Sequence, residues 1–224
     1  MKVFWSLFFL LLIASTELAA QDVAVNIQVK LNGETLKLQK EYSFSKKQYR
    51  FDEFKFYVGK FKFLNNGKVQ STSDQYFLVD LNNTKSLSFV LKMPEGRTFN
   101  EVQFVFGVDS ALNDGGVQGG SLDPASGMYW AWQSGYVNFR MEGLVLDELK
   151  KEQNFQFHLG GFLGANKSAQ NVRLKTSQTD LVDIVLNLDS FLANLDLNKN
   201  CRLMSPGSEA VYLMTILKNC FYLN

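Results

Sequence analysis

Val23, Val25, Ile27, Val29 and Leu31 alternate without a break with Ala24, Asn26, Gln28 and Lys30, and Asn32-Gly33 follows at once. A period of two places every apolar side chain on one face, so this segment reads as a strand with one face buried. Asn-Gly accepts the positive φ of a two-residue hairpin, so Leu36 and Leu38 are expected to carry the return strand. Phe54, Phe56 and Val58 keep one phase, and after Gly59 the phase moves to Phe61 and Phe63, as a glycine bulge would cause. Asn66-Gly67 marks another turn, and residues 76–81, 87–91, 102–108, 128–143, 155–160, 172–174 and 182–188 are strand-like. Only the C-terminus shows helical spacing, at Ala210, Leu213, Met214 and Leu217, with Ser205 as the expected cap and Pro206 at the first helical position. Many short strands at this spacing predict an all-β fold, a single-domain immunoglobulin-like β-sandwich over residues 21–224 with a short C-terminal helix.

Size and charge narrow the function. The 224 residues include 20 Phe and are 46% apolar, ample for a packed core. Lys and Arg number 23 against 22 Asp and Glu, so no global field attracts nucleic acid or anionic lipid. One histidine and two cysteines exclude zinc clusters and every site that needs two imidazoles. Residues 1–20 open with Lys2, run apolar from Val3 to Ala14 and close with Leu18-Ala19-Ala20, which reads as a cleaved signal peptide. The chain is therefore expected to be secreted or periplasmic, where Cys201 and Cys220 are expected to form a disulfide. Closing a loop of about 20 residues contributes roughly 3 kcal/mol in the chain-entropy view.

Enzyme signatures are missing from the sequence. There is no GxSxG elbow, no Walker loop and no EF-hand spacing, and His158 has no evident nucleophilic partner, so the protein is expected not to be an enzyme. Residues 109–127 form a stretch rich in Gly, Asp, Asn and Ser, read as a long functional loop. Information concentrates just after it, in Met128-Tyr129-Trp130-Ala131-Trp132, which holds two of the three tryptophans. On a continuous strand, Met128, Trp130 and Trp132 share a face, either as core fillers or as part of a site. In Phe155-Gln156-Phe157-His158-Leu159-Gly160 the apolar residues share one face and His158 projects with Gln156 to the other. Imidazole suits copper and thioether sulfur selects the cuprous ion, so His158 with Met128 makes a partial copper site. A third donor is left to Asp114, to a cysteine or to a modified tryptophan. The rival reading is a protein-interaction sandwich that uses the tryptophan-rich strand and the Gly-rich loop as its contact surface.

The run Met128-Tyr129-Trp130-Ala131-Trp132-Gln133-Ser134-Gly135-Tyr136 resembles the Met-aromatic-Trp-x-Trp-x-x-Gly-Tyr signature of the MbnP-like copper-binding proteins. The strand around Phe54 to Phe63, Gly107-Val108-Asp109 leading to Leu112-Asn113, His158-Leu159-Gly160-Gly161 and Met204-Ser205-Pro206-Gly207 are similar to the same family. The resemblance implies an extracytoplasmic β-sandwich that binds copper, in which a dihaem peroxidase-type partner oxidises a tryptophan to kynurenine. Trp130 and Trp132 are both candidates for that oxidation, and His158 matches the family's His-Leu-Gly histidine. An indole nitrogen only donates, whereas the opened ring presents an amine that can ligate. Many relatives carry Leu-Asn-His where this chain has Leu112-Asn113-Asp114. The copper donors implied for this chain are then His158, Met128, Trp130, Trp132 and Asp114.

Overall fold

The computed structural model describes residues 19–132, 135–147, 149, 151–177, 180–197 and 201–224. Most of the predicted signal peptide lies outside the described residues. In chain order the strands are β1 (Ala20–Leu31), β2 (Glu34–Thr35), β3 (Glu41–Phe44), β4 (Lys47–Asn65), β5 (Lys68–Thr72), β6 (Tyr76–Asp80), β7 (Ser88–Pro94) and β8 (Glu101–Phe106). They continue as β9 (Tyr129–Trp130), β10 (Gly135–Leu146), β11 (Glu152–Gly160), β12 (Gln170–Lys175), β13 (Leu181–Asn187), β14 (Arg202–Leu203) and β15 (Phe221–Leu223). Among the described residues three short α-helices accompany them: α1 (Ser110–Asp114), α2 (Asp189–Ala193) and α3 (Ser208–Lys218).

The predominantly β character follows the sequence, and the strands form two sheets. β15, β13, β1 and β2 run in that order in the smaller sheet, with β7 also on β1. The larger sheet has the order β12, β8, β4, β10, β11, β14, with β3, β5 and β6 on β4 and β9 on β10. As the alternation requires, Val23, Val25, Ile27, Val29 and Leu31 are all buried. The Asn32-Gly33 turn forms with φ of 52° and 76°, but the return strand is only β2, pairing Leu31 with Glu34 and Lys30 with Thr35. Leu36 and Leu38 fall after it, although the Leu36 amide still donates to the Val29 carbonyl at 2.7 Å; β7 pairs with Ala20–Asn26 of β1, and β13 pairs with it in parallel on the other edge.

Phenylalanine fills the space between the sheets. Phe54 of β4 meets Phe139 of β10 edge-on at 5.2 Å, and Phe221 of the smaller sheet meets Phe106 of the larger at 5.0 Å. Each such buried ring contributes about 1.5–3 kcal/mol, so a few cross-sheet contacts decide how the layers lie. The phase change at Gly59 is present as a register shift between Gly59 and Lys62 in the β4–β8 ladder.

Two expectations about the C-terminal segment are corrected. The helix begins at Ser208 with Gly207 as its cap, two residues later than Ser205-Pro206 suggested, and buries Ala210, Leu213, Met214 and Leu217. Cys201 and Cys220 are not joined; both are free thiols. Cys201 precedes β14, where its carbonyl accepts from the Gln156 amide, while Cys220 follows α3 and turns its Sγ back to the Ile216 carbonyl at 3.3 Å.

Candidate metal centre

The strand expected across residues 128–143 is interrupted. β9 ends at Trp130, Ala131 and Trp132 lie in a turn, and β10 returns so that Gly135 pairs with Trp130 and Tyr136 with Tyr129. This turn separates the two indoles. Trp130 is buried, at 7% exposed, whereas Trp132 stands out at 66%, with the ring centroids 5.8 Å apart.

The candidate residues lie on the outer face of the larger sheet. Phe155, Phe157 and Leu159 of β11 point into the inter-sheet core, which sends His158 and Gly160 to the opposite side. There a second apolar cluster forms from Tyr57, Tyr76, Val108, Leu122, Met128, Trp130, Tyr136 and Val137. The 109–127 stretch, containing α1, covers it and is tied down through Tyr136, whose hydroxyl accepts from the Gln118 amide at 2.9 Å and donates to the Leu122 carbonyl at 3.0 Å. Met128 is thus fully buried beside Trp130 in this cluster.

Gly160 is what lets the tryptophan reach the histidine strand. A Cβ there would lie 2.7 Å from Trp130 Cζ3 and 2.6 Å from the Tyr136 carbonyl, so only glycine leaves room for the indole. Trp130 therefore rests on β11 two residues from His158 and on the same face. Beyond it, Trp130, Gly135, Gly161, Phe162 and Pro206 line a cavity of about 110 Å³.

Charged groups occupy the same outer face beside this cluster. His158 is 7% exposed, and its Nε2 lies 2.6 Å from Glu142 Oε1. Glu142 also accepts from Arg140 at 2.7 Å and from Gln156 at 3.3 Å. Arg140 Nε stands 3.2 Å from Glu53 Oε2, which is buried and forms an ion pair without an aligned hydrogen bond. Burial tends to raise the Glu142 carboxyl, but the hydrogen bond from His158 and the charge of Arg140 hold it below its ordinary value. For His158, burial dominates and pushes the imidazole down, against the opposing pull of Glu142. An ionised carboxylate only accepts, so the neutral imidazole carries its proton on Nε2 and leaves the Nδ1 lone pair available.

Asp114 does not join the site. It is exposed at the end of α1. Its neighbour Asn113 points inward instead, donating to the Val108 and Asp109 carbonyls and accepting from the Tyr136 amide at 2.8 Å. Asn138 and Ser168 extend this buried network, with the Val108 amide donating to Asn138 Oδ1 and Asn138 Nδ2 donating to Ser168 Oγ, both at 2.8 Å.

Of the five expected donors, Met128 and Trp130 share the outer-face cluster and His158 lies two residues before Gly160 on that face, whereas Asp114 and Trp132 are exposed, the ring of Trp132 5.8 Å from that of Trp130. The sequence reading missed Glu142, Arg140 and Glu53. The available signal was Arg140 and Glu142 alternating with the apolar Phe139 and Met141, which puts both charges on the face that His158 shares. The donors present suit copper in kind: an imidazole nitrogen whose other nitrogen is held by a carboxylate, a thioether, and an indole that oxidation would turn into an amine. They are few as encoded, since no group of three or more His, Cys, Asp or Glu among the described residues is disposed to hold a metal ion.

The fold and this outer-face cluster define a mostly β protein in which Trp130 packs at Gly160, two residues along β11 from His158. The MbnP family model matches residues 20–209, and the chain belongs to that family. Its fold is similar to that of MbnP from Methylosinus trichosporium, with a TM-score of 0.59 at 15% identity over 85% of this chain and 82% of that one. No curated protein matches the chain.

Proposed function

We propose that this protein is a non-catalytic extracytoplasmic copper-binding protein, an immunoglobulin-like sandwich that holds the metal through His158 Nδ1 and an amine derived from Trp130. The observation that carries the proposal is the seating of Trp130 on Gly160, beside a histidine whose Nε2 proton is committed to Glu142. Family membership supports the association with copper. No helix among the described residues is long and apolar enough to cross a membrane, in keeping with a periplasmic or secreted location.

Oxidation of Trp130 adds two oxygen atoms across the bond between Cγ and Cδ1. Hydrolysis then releases Cδ1 as formate and leaves a ring-bound amine. The step breaks the bond between Cγ and Cδ1 and is a four-electron oxidation, so it consumes two equivalents of hydrogen peroxide, reduced to water by a dihaem peroxidase-type partner. When bound, copper gives this amine and the imidazole a common centre; Met128 offers a soft sulfur from the same cluster. The chain's own part is to exclude water with the covering loop, hold the imidazole proton at Nε2 and keep the indole in place.

The test is copper stoichiometry of protein exported from its native host. The expected result is about one copper per chain in the wild type and loss of it in His158→Ala and Trp130→Phe, with Asp114→Ala unchanged. Wild-type protein without copper under both oxidising and reducing conditions would remove the proposal.

A further inference from the structure

Arg140 reaches both halves of the site at once. It lies opposite His158 of β11 and Lys55 of β4 in the sheet register. Its Nε and Nη2 engage Glu142 Oε1 at 2.7 Å each, the same oxygen that accepts from His158. Its Nη1 donates to the Gly127 carbonyl at 3.1 Å, immediately before Met128 and β9. Glu53 Oε2 lies 3.2 Å from the same Nε. Lys55 grips the same loop more loosely, through the Ser126 carbonyl at 3.4 Å.

We infer that Arg140 is the positioning residue of the centre, one guanidinium fixing both the Glu142 carboxylate that orients His158 and the backbone that delivers Met128 and Trp130. This inference rests on the copper reading above. A guanidinium suits the task because its donors are spread over three nitrogens in a rigid plane and serve separate acceptors simultaneously. A lysine ammonium is a single point: it keeps the charge but cannot bridge Glu142 and the Gly127 carbonyl in this geometry. Arg140→Lys therefore separates the fork from the charge.

The experiment compares wild type, Arg140→Lys and Arg140→Met, with Arg173→Met as a control at the exposed ion pair with Glu101. In copper-free protein carrying unmodified tryptophans, nitrogen NMR at one fixed pH reads which ring nitrogen of His158 bears the proton, and tryptophan fluorescence reads the seating of Trp130. The wild type and Arg173→Met are expected to show a single Nε2–H form. Arg140→Lys is expected to show mixed tautomers and red-shifted emission while its thermal midpoint stays near that of the control. In copper-loaded exported protein, Arg140→Lys is expected to lower copper affinity by roughly 10–100-fold, the scale of losing a partner behind a ligating histidine.

A single Nε2–H form and unshifted emission in Arg140→Lys overturn the inference. Should Arg140→Met fail to fold, Arg140→Lys alone decides. Should the wild type bind no copper, the copper reading falls, and the metal-free measurements still judge whether Arg140 positions His158 and Trp130.

Discussion

His158 and Glu142, sixteen residues apart in sequence, are joined by a 2.6 Å hydrogen bond on the outer face of the larger sheet. The bond holds the imidazole in one tautomer within an environment that disfavours its charged form. It also gives Glu142 a partner that, with Arg140, keeps the half-buried carboxylate ionised.

Glu142→Ala leaves both His158 and Arg140 without their shared acceptor. The expected cost is about 1–3 kcal/mol of unfolding free energy, the scale of leaving buried hydrogen-bonding groups unmet. Copper affinity is expected to fall more than tenfold. Urea unfolding and competitive copper titration measure the two effects; no change in either would show that the pair is idle.

Gly160→Ala tests the seat of Trp130. The added methyl meets the indole and the Tyr136 carbonyl at 2.7 and 2.6 Å, and the carbonyl belongs to a strand that cannot move freely. A loss of about 1–3 kcal/mol, the usual overpacking penalty, is expected with a red shift of tryptophan emission. The same substitution at Gly33, where a Cβ meets nothing within 4 Å, is expected to cost only the strain of its positive φ and to leave emission unchanged.

Acid sensitivity follows from Asp109, which caps α1 through the Leu112 amide and pairs with Lys60. Burial acts to raise its carboxyl, but the Lys60 and Leu112 hydrogen bonds outweigh it and hold the group below its ordinary value. A carboxyl lowered in the folded state contributes stability above the unfolded value and loses it as pH falls through the folded one. Stability is therefore expected to decline below about pH 4, and Asp109→Asn is expected to flatten that part of the curve. Thermal midpoints measured from neutral to acid pH provide the check; an identical acid slope in both proteins would assign the loss to other groups.

The sequence disclosed strands whose faces differ in polarity, because alternation of apolar side chains is a local property. Val23 to Leu31 and Phe155 to Leu159 behave as that rule requires. It did not disclose the parallel pairing of β1 with β13, where two distant segments meet and no turn residue announces the contact. The tryptophan signature marked the segment but not its geometry. Continuous alternation put Met128, Trp130 and Trp132 on one face, whereas the turn at Ala131-Trp132 sends one indole inward and the other into solvent. Glu142 and Arg140 gain their meaning only from β11, which places His158 beside them. The two cysteines show the converse limit, since closeness in sequence did not bring Cys201 and Cys220 into bonding position.

The most direct test is peptide mass mapping of the exported protein across Trp130 and Trp132, with fragmentation that assigns the modified residue. The account predicts that one residue gains an oxygen and loses a carbon, that this residue is the buried Trp130, and that Trp132→Phe retains the change while Trp130→Phe abolishes it. Two unmodified indoles, or the change carried by Trp132 alone, would contradict it.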